Sequence, residues 1–246
     1  MKENIDPNNL PQHIAVIMDG NGRWAKKQGA INRLFGHTNA IKAVREVTEG
    51  CAELGVKFLT LYAFSTENWS RPQEEVNGLM ELLVATIRKE IKTLHDNNVR
   101  LSAIGDLHTL PVNCQKELQE AIQETSVNTG LTLVLALSYS GRSEITQAIK
   151  KIASEVQSGK LAPDAINEAL VASYMQTVGM PDPELLIRTS GELRISNFLL
   201  WQIAYTEIFI TEVLWPDFRK KDLIEAIQAY QKRERRFGKI SEQLKN

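Results

Sequence analysis

The stretch HIAVIMDGNGRWAKKQG, residues 13–29, contains the sequence signal that decides the fold. Residues 14–18 form a short apolar run that Asp19 and the turn Gly20-Asn21-Gly22 close, a pattern typical of a buried strand that feeds a loop. Glycines let a backbone approach a ligand and turn its N–H groups toward an anion, and Arg23 supplies a countercharge. A lone carboxylate among cations also suits Mg²⁺, which is often bound by one or two carboxylates plus substrate phosphates. A polar turn with a solvated basic rim explains the same spacing about equally well.

Length and composition are those of an ordinary globular protein. The 246 residues can form one large α/β domain, and 43% are hydrophobic and 24% charged. A net charge of −1 argues against a general nucleic-acid binder, which usually carries a basic excess. Basic side chains nevertheless concentrate in or near loops that contain glycine and serine, which indicates a small anionic ligand. They are Arg23, Lys26, Lys27, Arg33, Arg71, Arg142, Arg188 and Arg194.

Cysteine content and hydropathy favour a cytoplasmic location. Cys51 and Cys114 are too few for a disulfide framework and indicate reduced thiols. The sequence has no signal-peptide pattern, and no apolar run reaches the roughly 18 residues expected of a membrane span. Loose association with a membrane surface remains compatible with these observations.

Strand and helix patterns alternate along the chain. Besides the first strand, the sequence predicts strands at 58–64, 99–104, 131–137, 185–187 and 208–211. Helices are predicted at 40–54, from a capping box at Ser70 and Gln73 to about residue 97, and at 111–127, 143–157, 163–178 and 218–237. We expect a loose N-terminal arm over residues 1–12 and a single catalytic domain over 13–246. The alternation predicts an α/β fold with a mainly parallel central sheet flanked by helices.

Four predicted strands end in polar loops that contain glycine or serine and an arginine. These loops follow residues 18, 64, 137 and 187. Parallel strands bring their carboxyl ends to one edge, where ligands of such sheets bind. Each loop alone could be an ordinary connector, but the four together predict a phosphate site at this edge.

Six motifs, in this order, resemble those of the cis-prenyltransferases. They are DGNGRWA at 19–25, RLFGH at 33–37, FSTENWSRP at 64–72, RTSGELRISNF at 188–198, TEIFI at 206–210 and WPDF at 215–218. The chain also lacks DDxxD, the paired-acid motif of the trans-prenyltransferases. Within the family, the motifs are most similar to those of the bacterial undecaprenyl diphosphate synthases.

The resemblance implies an enzyme that adds isopentenyl diphosphate units, each with a Z double bond, to an allylic diphosphate such as farnesyl diphosphate. The implied product is undecaprenyl diphosphate, a lipid-carrier precursor for peptidoglycan of the cell wall. The resemblance further implies Mg²⁺ as cofactor, a homodimer, and a cytosolic enzyme that delivers its product to the membrane. The helices over 40–54 and 76–91 would wall an apolar tunnel for the growing chain, although the same apolar faces are ordinarily core.

The resemblance also assigns catalytic and metal-binding residues. Asp19 resembles the acid that coordinates Mg²⁺, which neutralises the charge that grows as diphosphate leaves an allylic carbon. Asn68 resembles a residue involved in removing the proton from isopentenyl diphosphate. Because an amide is a poor base, we expect Asn68 to orient the substrate or relay a proton. Glu207 resembles a second Mg²⁺ ligand, and Arg236-Phe237-Gly238 a C-terminal R-x-G that reaches across the dimer interface.

The remaining assignments concern substrate binding. The allylic diphosphate would be held by Gly20, Asn21, Gly22, Arg23, Arg33 and His37. The isopentenyl diphosphate site would contain Arg188, Arg194, Ile195 and Ser196. The catalytic loop would contain Ser65, Thr66, Glu67, Asn68 and Arg71. Trp24 and Trp69 would pack on the prenyl chain or stabilise an allylic cation through their ring faces.

Simpler interpretations stay open. Asp19 could be a turn residue, His37 a helix cap, both tryptophans core anchors, and the R-x-G a basic helix end. For the whole chain, the alternatives are a Mg²⁺-dependent phosphohydrolase or nucleotide binder, although the sequence lacks a Walker A motif, and a silent partner subunit of a prenyltransferase. The chain departs from the family by one extra residue between Gly29 and Arg33, and by SYSGR at 138–142 in place of NYGGR.

Overall fold

One sheet organises the computed structural model, which describes residues 5–30, 32 and 34–235. Its strands are β1 (His13–Ile17), β2 (Phe58–Ser65), β3 (Arg100–Ile104), β4 (Thr132–Tyr139), β5 (Leu185–Arg188) and β6 (Glu207–Ile210). Their spatial order is β3-β4-β2-β1-β5-β6, and every neighbouring pair is parallel. The predicted single α/β domain is confirmed, with a sheet that is parallel throughout.

Seven α-helices of the described ranges cover this sheet. They are α1 (Asn21–Lys27), α2 (Leu34–Leu54), α3 (Gln73–Asp96), α4 (Val112–Thr125), α5 (Gly141–Gln157), α6 (Glu168–Ser173) and α7 (Lys220–Gln231). Residues of α2, α3, α4 and α7 pack on one face of the sheet in the larger hydrophobic cluster. The other face carries a smaller cluster that includes Tyr139, Phe198 and Leu199. All residues of β1 and β5 are buried, as expected where both faces of a parallel sheet are covered. No helix in the described ranges is long and apolar enough to cross a membrane.

The turn after β1 is shorter than predicted. Helix α1 already begins at Asn21, and Gly20 is its N-cap residue with φ of +106°. A Cβ atom at position 20 would lie 2.9 Å from Leu214 Cδ2, so both the backbone angle and the close approach require glycine here. Sequence reasoning missed α1 because Gly22 follows so closely and reads as part of a loop.

Other boundaries also differ from the prediction. The capping box at Ser70 is wrong, since the Ser70 hydroxyl donates to Glu67 O and Pro72 is the N-cap residue of α3. The helix predicted at 163–178 is a 3-10 turn, Pro163–Ala165, followed by the short α6. The last helix begins later than predicted, because Trp215–Asp217 is a 3-10 turn and α7 starts at Lys220; α7 ends at Gln231.

Residues 5–12 do not form a loose arm. Gln231 Nε2 donates to Asp6 O at 2.8 Å and to Asn9 O at 3.0 Å, and its Oε1 accepts from Asp6 N at 3.2 Å. Ile5 and Leu10 pack against the larger core cluster. This segment is therefore fastened to the end of α7.

Candidate diphosphate site and adjoining apolar cavity

Asp19 lies where β1 and β5 end side by side. Ile17 pairs with Arg188 in the sheet, so the residues after these positions meet at the carboxyl edge. Arg188 Nη2 donates to Asp19 Oδ2 at 2.8 Å, and the Gly20 N–H donates to Asp19 Oδ1 at 2.7 Å. The Thr189 hydroxyl donates to Asp19 O at 2.7 Å and accepts from Asp19 N at 2.9 Å. Side chain and backbone of Asp19 are thus both fixed.

The Asp19 carboxylate is surrounded by cations. Burial raises the pKa of Asp19, but the hydrogen bond and charge of Arg188, the Gly20 N–H and the charge of Arg23 outweigh it and hold the pKa below its usual value. Arg23 Nη2 lies 3.6 Å from Oδ1, and Arg194 Nη2 lies 4.0 Å from Oδ2. Asp19 is therefore ionised at neutral pH.

The donor set fits Mg²⁺ that arrives with phosphate. Within the described ranges, no three His, Cys, Asp or Glu side chains come together as a metal site. A carboxylate offers about four accepting positions, and Arg188 and Gly20 use two of those on Asp19. One carboxylate with spare lone pairs suits an ion whose other ligands are substrate oxygens and water.

Arg188 connects Asp19 to the loop after β5. Its side chain is only 3% exposed, and its Nη1 donates to Ser196 Oγ at 2.7 Å and to Arg194 O. Ser196 has φ of +49°, a left-handed conformation that costs a non-glycine residue energy and that these contacts help to maintain. The Arg194 side chain is 58% exposed.

Glu192 is a site residue that sequence reasoning missed. Its carboxylate lies 3.1 Å from Arg23 Nη2 and also pairs with Arg194. Arg23 further donates to Ser190 O at 3.0 Å and to the Ser190 hydroxyl. An anion that binds here must therefore compete with Glu192 for two guanidiniums. The sequence did offer a signal for Glu192, because it lies between Arg188 and Arg194 in the motif RTSGELR.

The segment predicted to be the catalytic loop forms a 3-10 turn, Thr66–Ser70, directly after β2. Ser65 N donates to Asn68 Oδ1 at 3.1 Å, so the amide oxygen of Asn68 is already in use. Asn197 Nδ2 donates to Glu67 Oε1 at 2.8 Å and connects this loop to the loop after β5. Burial raises the pKa of Glu67, but hydrogen bonds, the first from Asn197, outweigh it and lower the pKa.

Two cavities meet at this edge of the sheet. The polar cavity measures about 510 Å³, and its lining includes Asp19, Ser65, Glu67, Asn68, Arg71, Arg188, Arg194 and Ser196. The apolar cavity measures about 270 Å³ and lies among β2, β4, α2 and α3. Met18, Tyr62, Asn68 and Arg71 line both. Sequence reasoning missed Tyr62, whose hydroxyl oxygen lies 3.2 Å from Tyr139 O and 3.3 Å from Ser196 O and shares its one proton between these carbonyls.

The apolar cavity begins beside α1. Asn21 Nδ2 and His37 Nδ1 are 3.1 Å apart, and both side chains line this cavity together with Met18. Farther in, the lining is mainly apolar: Ala40, Ile41, Val44, Leu79, Leu83, Ile87, Leu133 and Leu135. The helix faces predicted as a tunnel wall therefore do border a cavity.

Several predicted site residues line neither cavity. They are Gly20, Gly22, Arg23, Trp24, Thr66, Trp69, Ile195 and Glu207. Trp69 is a core anchor, because its Nε1 donates to Ser138 Oγ at 2.9 Å and its ring packs edge-on against Phe64. Trp24 stacks on Phe35, with 5.7 Å between ring centroids. Ile195 packs against the smaller core cluster.

Glu207 lies at the opposite end of the sheet from Asp19. It pairs with Leu185 at the amino end of β5, and Arg233 Nη1 donates to its Oε2 at 2.6 Å. Strand spacing and rise place it roughly 15–20 Å from Asp19. One chain therefore cannot bring both carboxylates to one ion. Arg33 and Arg236-Phe237-Gly238 lie outside the described residues.

An ionised carboxylate among arginines, opening into an apolar cavity, defines a protein for substrates with an anionic head and an apolar tail. Comparison with known proteins agrees with this class of substrate. Residues 17–238 match the family model described as "Putative undecaprenyl diphosphate synthase". The chain therefore belongs to the cis-prenyltransferase family and is a prenyl-transferring enzyme, which favours this activity over a phosphohydrolase or nucleotide binder.

Individual relatives cover nearly the whole chain. The isoprenyl transferase of Chlorobaculum tepidum is 54% identical over 236 residues, which is 96% of this chain and 89% of that protein. The ditrans,polycis-undecaprenyl-diphosphate synthase ((2E,6E)-farnesyl-diphosphate specific) of Pasteurella multocida is 52% identical over 238 residues, 97% of this chain and 99% of that one. The crystal structure of lavandulyl diphosphate synthase from Lavandula x intermedia, in complex with dimethylallyl diphosphate, superposes with a TM-score of 0.91 at 37% identity. It covers 94% of this chain and 100% of that one.

Proposed function

We propose that this enzyme condenses isopentenyl diphosphate units with Z geometry onto farnesyl diphosphate, and that its product is undecaprenyl diphosphate for cell-wall peptidoglycan synthesis. The observation that carries the proposal is the junction of the two cavities at Met18, Tyr62, Asn68 and Arg71. A diphosphate beside the arginines can extend its prenyl tail directly into the apolar cavity. The farnesyl-specific relative from P. multocida supports the choice of primer and product.

The apolar cavity supplies binding energy for the tail. Each buried CH₂ stabilises the bound state by about 0.8 kcal/mol. A cavity of about 270 Å³ lies just below the range for pockets that enclose a drug-sized ligand. Its size therefore supports a primer-sized tail as its first occupant.

Asp19 would hold Mg²⁺ together with the allylic diphosphate, and the bound ion would neutralise the charge on the departing diphosphate. Asn21, His37 and the first-turn N–H groups of α1, with Arg23 and Arg33, would hold that diphosphate. In helical geometry these N–H groups have no partner within the helix. Trp24 would stabilise the start of α1 through its stacking on Phe35.

The second diphosphate, that of isopentenyl diphosphate, would bind Arg188, Arg194 and Ser196. A guanidinium can pair with two phosphate oxygens at once. Because Arg188 is already held by Asp19 and Ser196, it loses little conformational freedom on binding. Asn68 would orient isopentenyl diphosphate rather than take its proton, since its Oδ1 already accepts from Ser65 N. Ser65, Thr66, Glu67 and Arg71 would complete this loop, and Trp69 would support it from the core.

The proposal includes a cytoplasmic homodimer that contacts a membrane surface only to deliver product and has no nucleic-acid partner. Leu193, Tyr205 and Ile208 are exposed near the edge strand β6 and support an interface there. Glu207 could serve as a metal ligand only from the second copy, because it is remote from Asp19 of its own chain. The R-x-G at 236–238 would act across the same interface.

The test is chain elongation by the purified enzyme with farnesyl diphosphate, labelled isopentenyl diphosphate and MgCl₂, followed by product sizing. We expect a long Z-polyprenyl diphosphate, loss of activity with EDTA, and a loss of at least about 100-fold in Asp19→Asn. Asp164→Asn, an exposed acid in the turn before α6, is the matched control. A ten-carbon product would contradict the proposed product. Phosphate release from nucleotides without chain growth would contradict the activity.

A further inference from the structure

An ion pair lies in the wall of the apolar cavity. Arg45 on α2 donates from Nε to Oε2 of Glu90 on α3 at 2.9 Å, and its Nη2 lies 2.5 Å from Oε1. Both residues line the cavity. The Arg45 side chain is 42% exposed and that of Glu90 is 14% exposed, so the pair faces the cavity on one side and water on the other.

The neighbours of this pair are mainly apolar. Leu83, Ile87 and Leu94 share the cavity-facing side of α3 with Glu90, at helical spacing. Glu90 therefore interrupts an otherwise apolar stripe at the seam between α2 and α3. The Arg45 guanidinium, whose side chain is 42% exposed, can be hydrated from outside when the pair separates, so an ion pair can open here where a packed apolar contact would not. The pair therefore makes this seam one that can open.

The cavity is too small for the whole product tail, so a long tail needs an exit. The volume of about 270 Å³ falls slightly below the range typical of drug-sized ligands, whereas an undecaprenyl tail carries eleven five-carbon units. Because each unit is added at the diphosphate end, the primer-derived end of such a tail is pushed deepest and must leave the cavity. The sheet closes one side of the cavity, while α2 and α3 are joined at this seam by the Arg45–Glu90 pair.

We propose that Arg45 and Glu90 form a latch on a lateral exit between α2 and α3, and that this latch limits product length and product release. The inference rests on the proposed function, since it concerns tails longer than the cavity holds. An opened latch lets the tail pass outward into an apolar acceptor such as a detergent micelle or bilayer, because exposure to water costs about 0.8 kcal/mol per CH₂.

The chain offers a matched control. Arg88 Nε donates to Glu117 Oε2 at 2.6 Å, which joins α3 to α4 by the same two-bond pairing. Neither Arg88 nor Glu117 lines the cavity. Removal of either arginine takes one interhelical ion pair from α3, but only Arg45 belongs to the cavity wall.

The experiment compares Arg45→Met, Glu90→Gln and Arg88→Met with the parent enzyme, with and without micelles of a nonionic detergent. Arg45→Met and Glu90→Gln should raise steady-state turnover without detergent about two- to five-fold and shift products toward longer chains. The single-turnover rate of the first addition should stay unchanged, and Arg88→Met should match the parent. The double variant Arg45→Glu with Glu90→Arg should return length and turnover toward parental values.

Parental product lengths and turnover in both Arg45→Met and Glu90→Gln would overturn the latch, and so would an equal effect in Arg88→Met. A parent enzyme that makes no long chain contradicts the proposed product instead. Melting temperatures of all variants identify any that fail to fold, and the charge-swapped variant then decides between latch and simple helix packing.

Discussion

We expect acidic pH to destabilise the fold because His13 is buried in its neutral form. His13 is fully buried at the start of β1, with Nδ1 2.7 Å from Pro181 O and Nε2 2.7 Å from Thr60 Oγ1. The carbonyl requires a donor, so Nδ1 carries the proton and Nε2 accepts from the Thr60 hydroxyl. Burial lowers the pKa of His13 from 6.5 to about 4, outweighing the Pro181 hydrogen bond and the charge of Glu184.

The direction in which stability changes with pH follows from proton binding at His13. Between pH 6.5 and 4 the unfolded chain binds a proton at His13 and the folded chain does not, so the free energy of unfolding falls as pH falls. The pKa difference corresponds to a loss of about 3 kcal/mol, complete only below pH 4. The carboxyl of Asp19, with its lowered pKa, contributes at still lower pH.

Urea unfolding at several pH values from 7.5 to 4.5 measures this effect. We expect the parent to lose up to about 1.4 kcal/mol per pH unit between pH 6 and 4.5 in excess of His13→Gln, which keeps a donor and an acceptor but does not titrate. His108→Gln, at an exposed histidine, should follow the parent. Equal slopes for the parent and His13→Gln would refute the assignment of a buried neutral imidazole.

Three further substitutions test the site and its support. Arg188→Lys should raise the KM for isopentenyl diphosphate at least about ten-fold in steady-state kinetics, because one ammonium cannot bond Asp19 and Ser196 as the fork does; an unchanged KM would exclude Arg188 from that site. Trp69→Phe should lower the melting temperature by about 2–4 °C, since it keeps the ring contact with Phe64 but loses the bond to Ser138; a parental melting temperature would contradict the anchor role. Gly20→Ala should lower the free energy of unfolding by more than about 1 kcal/mol in urea, and a neutral result would contradict the strained N-cap.

The strands were predictable because burial on both faces leaves near-continuous apolar runs. All but the first residue of the strand predicted at 131–137, for example, lie within β4, whose pattern is buried from its second residue to its last. The edge that carries the candidate site followed from parallel topology and from the arginine-containing loops after four strands. Helix α1 was not predictable locally, because Gly22 has poor helix propensity and the helix depends on burial of Ala25 and on the left-handed Gly20.

The sequence already indicated that Glu207 lies far from Asp19, although the motif match assigned both to metal binding. A predicted strand at 208–211 already places residue 207 at the strand's amino end, whereas the ligand edge lies at the carboxyl end. A motif match carries over the identity of a residue, while strand direction decides which chain's site that residue can reach. By contrast, the two-helix pair Arg45–Glu90 depends on packing, and no local pattern reveals it.

Arg188 has two opposing effects on Asp19. A cation binds the ionised carboxylate of Asp19. The Arg188 guanidinium lowers the pKa of that carboxyl but also competes for its oxygens. Arg188 is held independently by Ser196 Oγ and Arg194 O, so its position does not depend on Asp19 alone. In the proposed reaction, Asp19 would share Oδ2 with an incoming cation while Arg188 stays in place for the second diphosphate. A single buried guanidinium thereby lowers the pKa of Asp19 and connects Asp19 to the loop after β5.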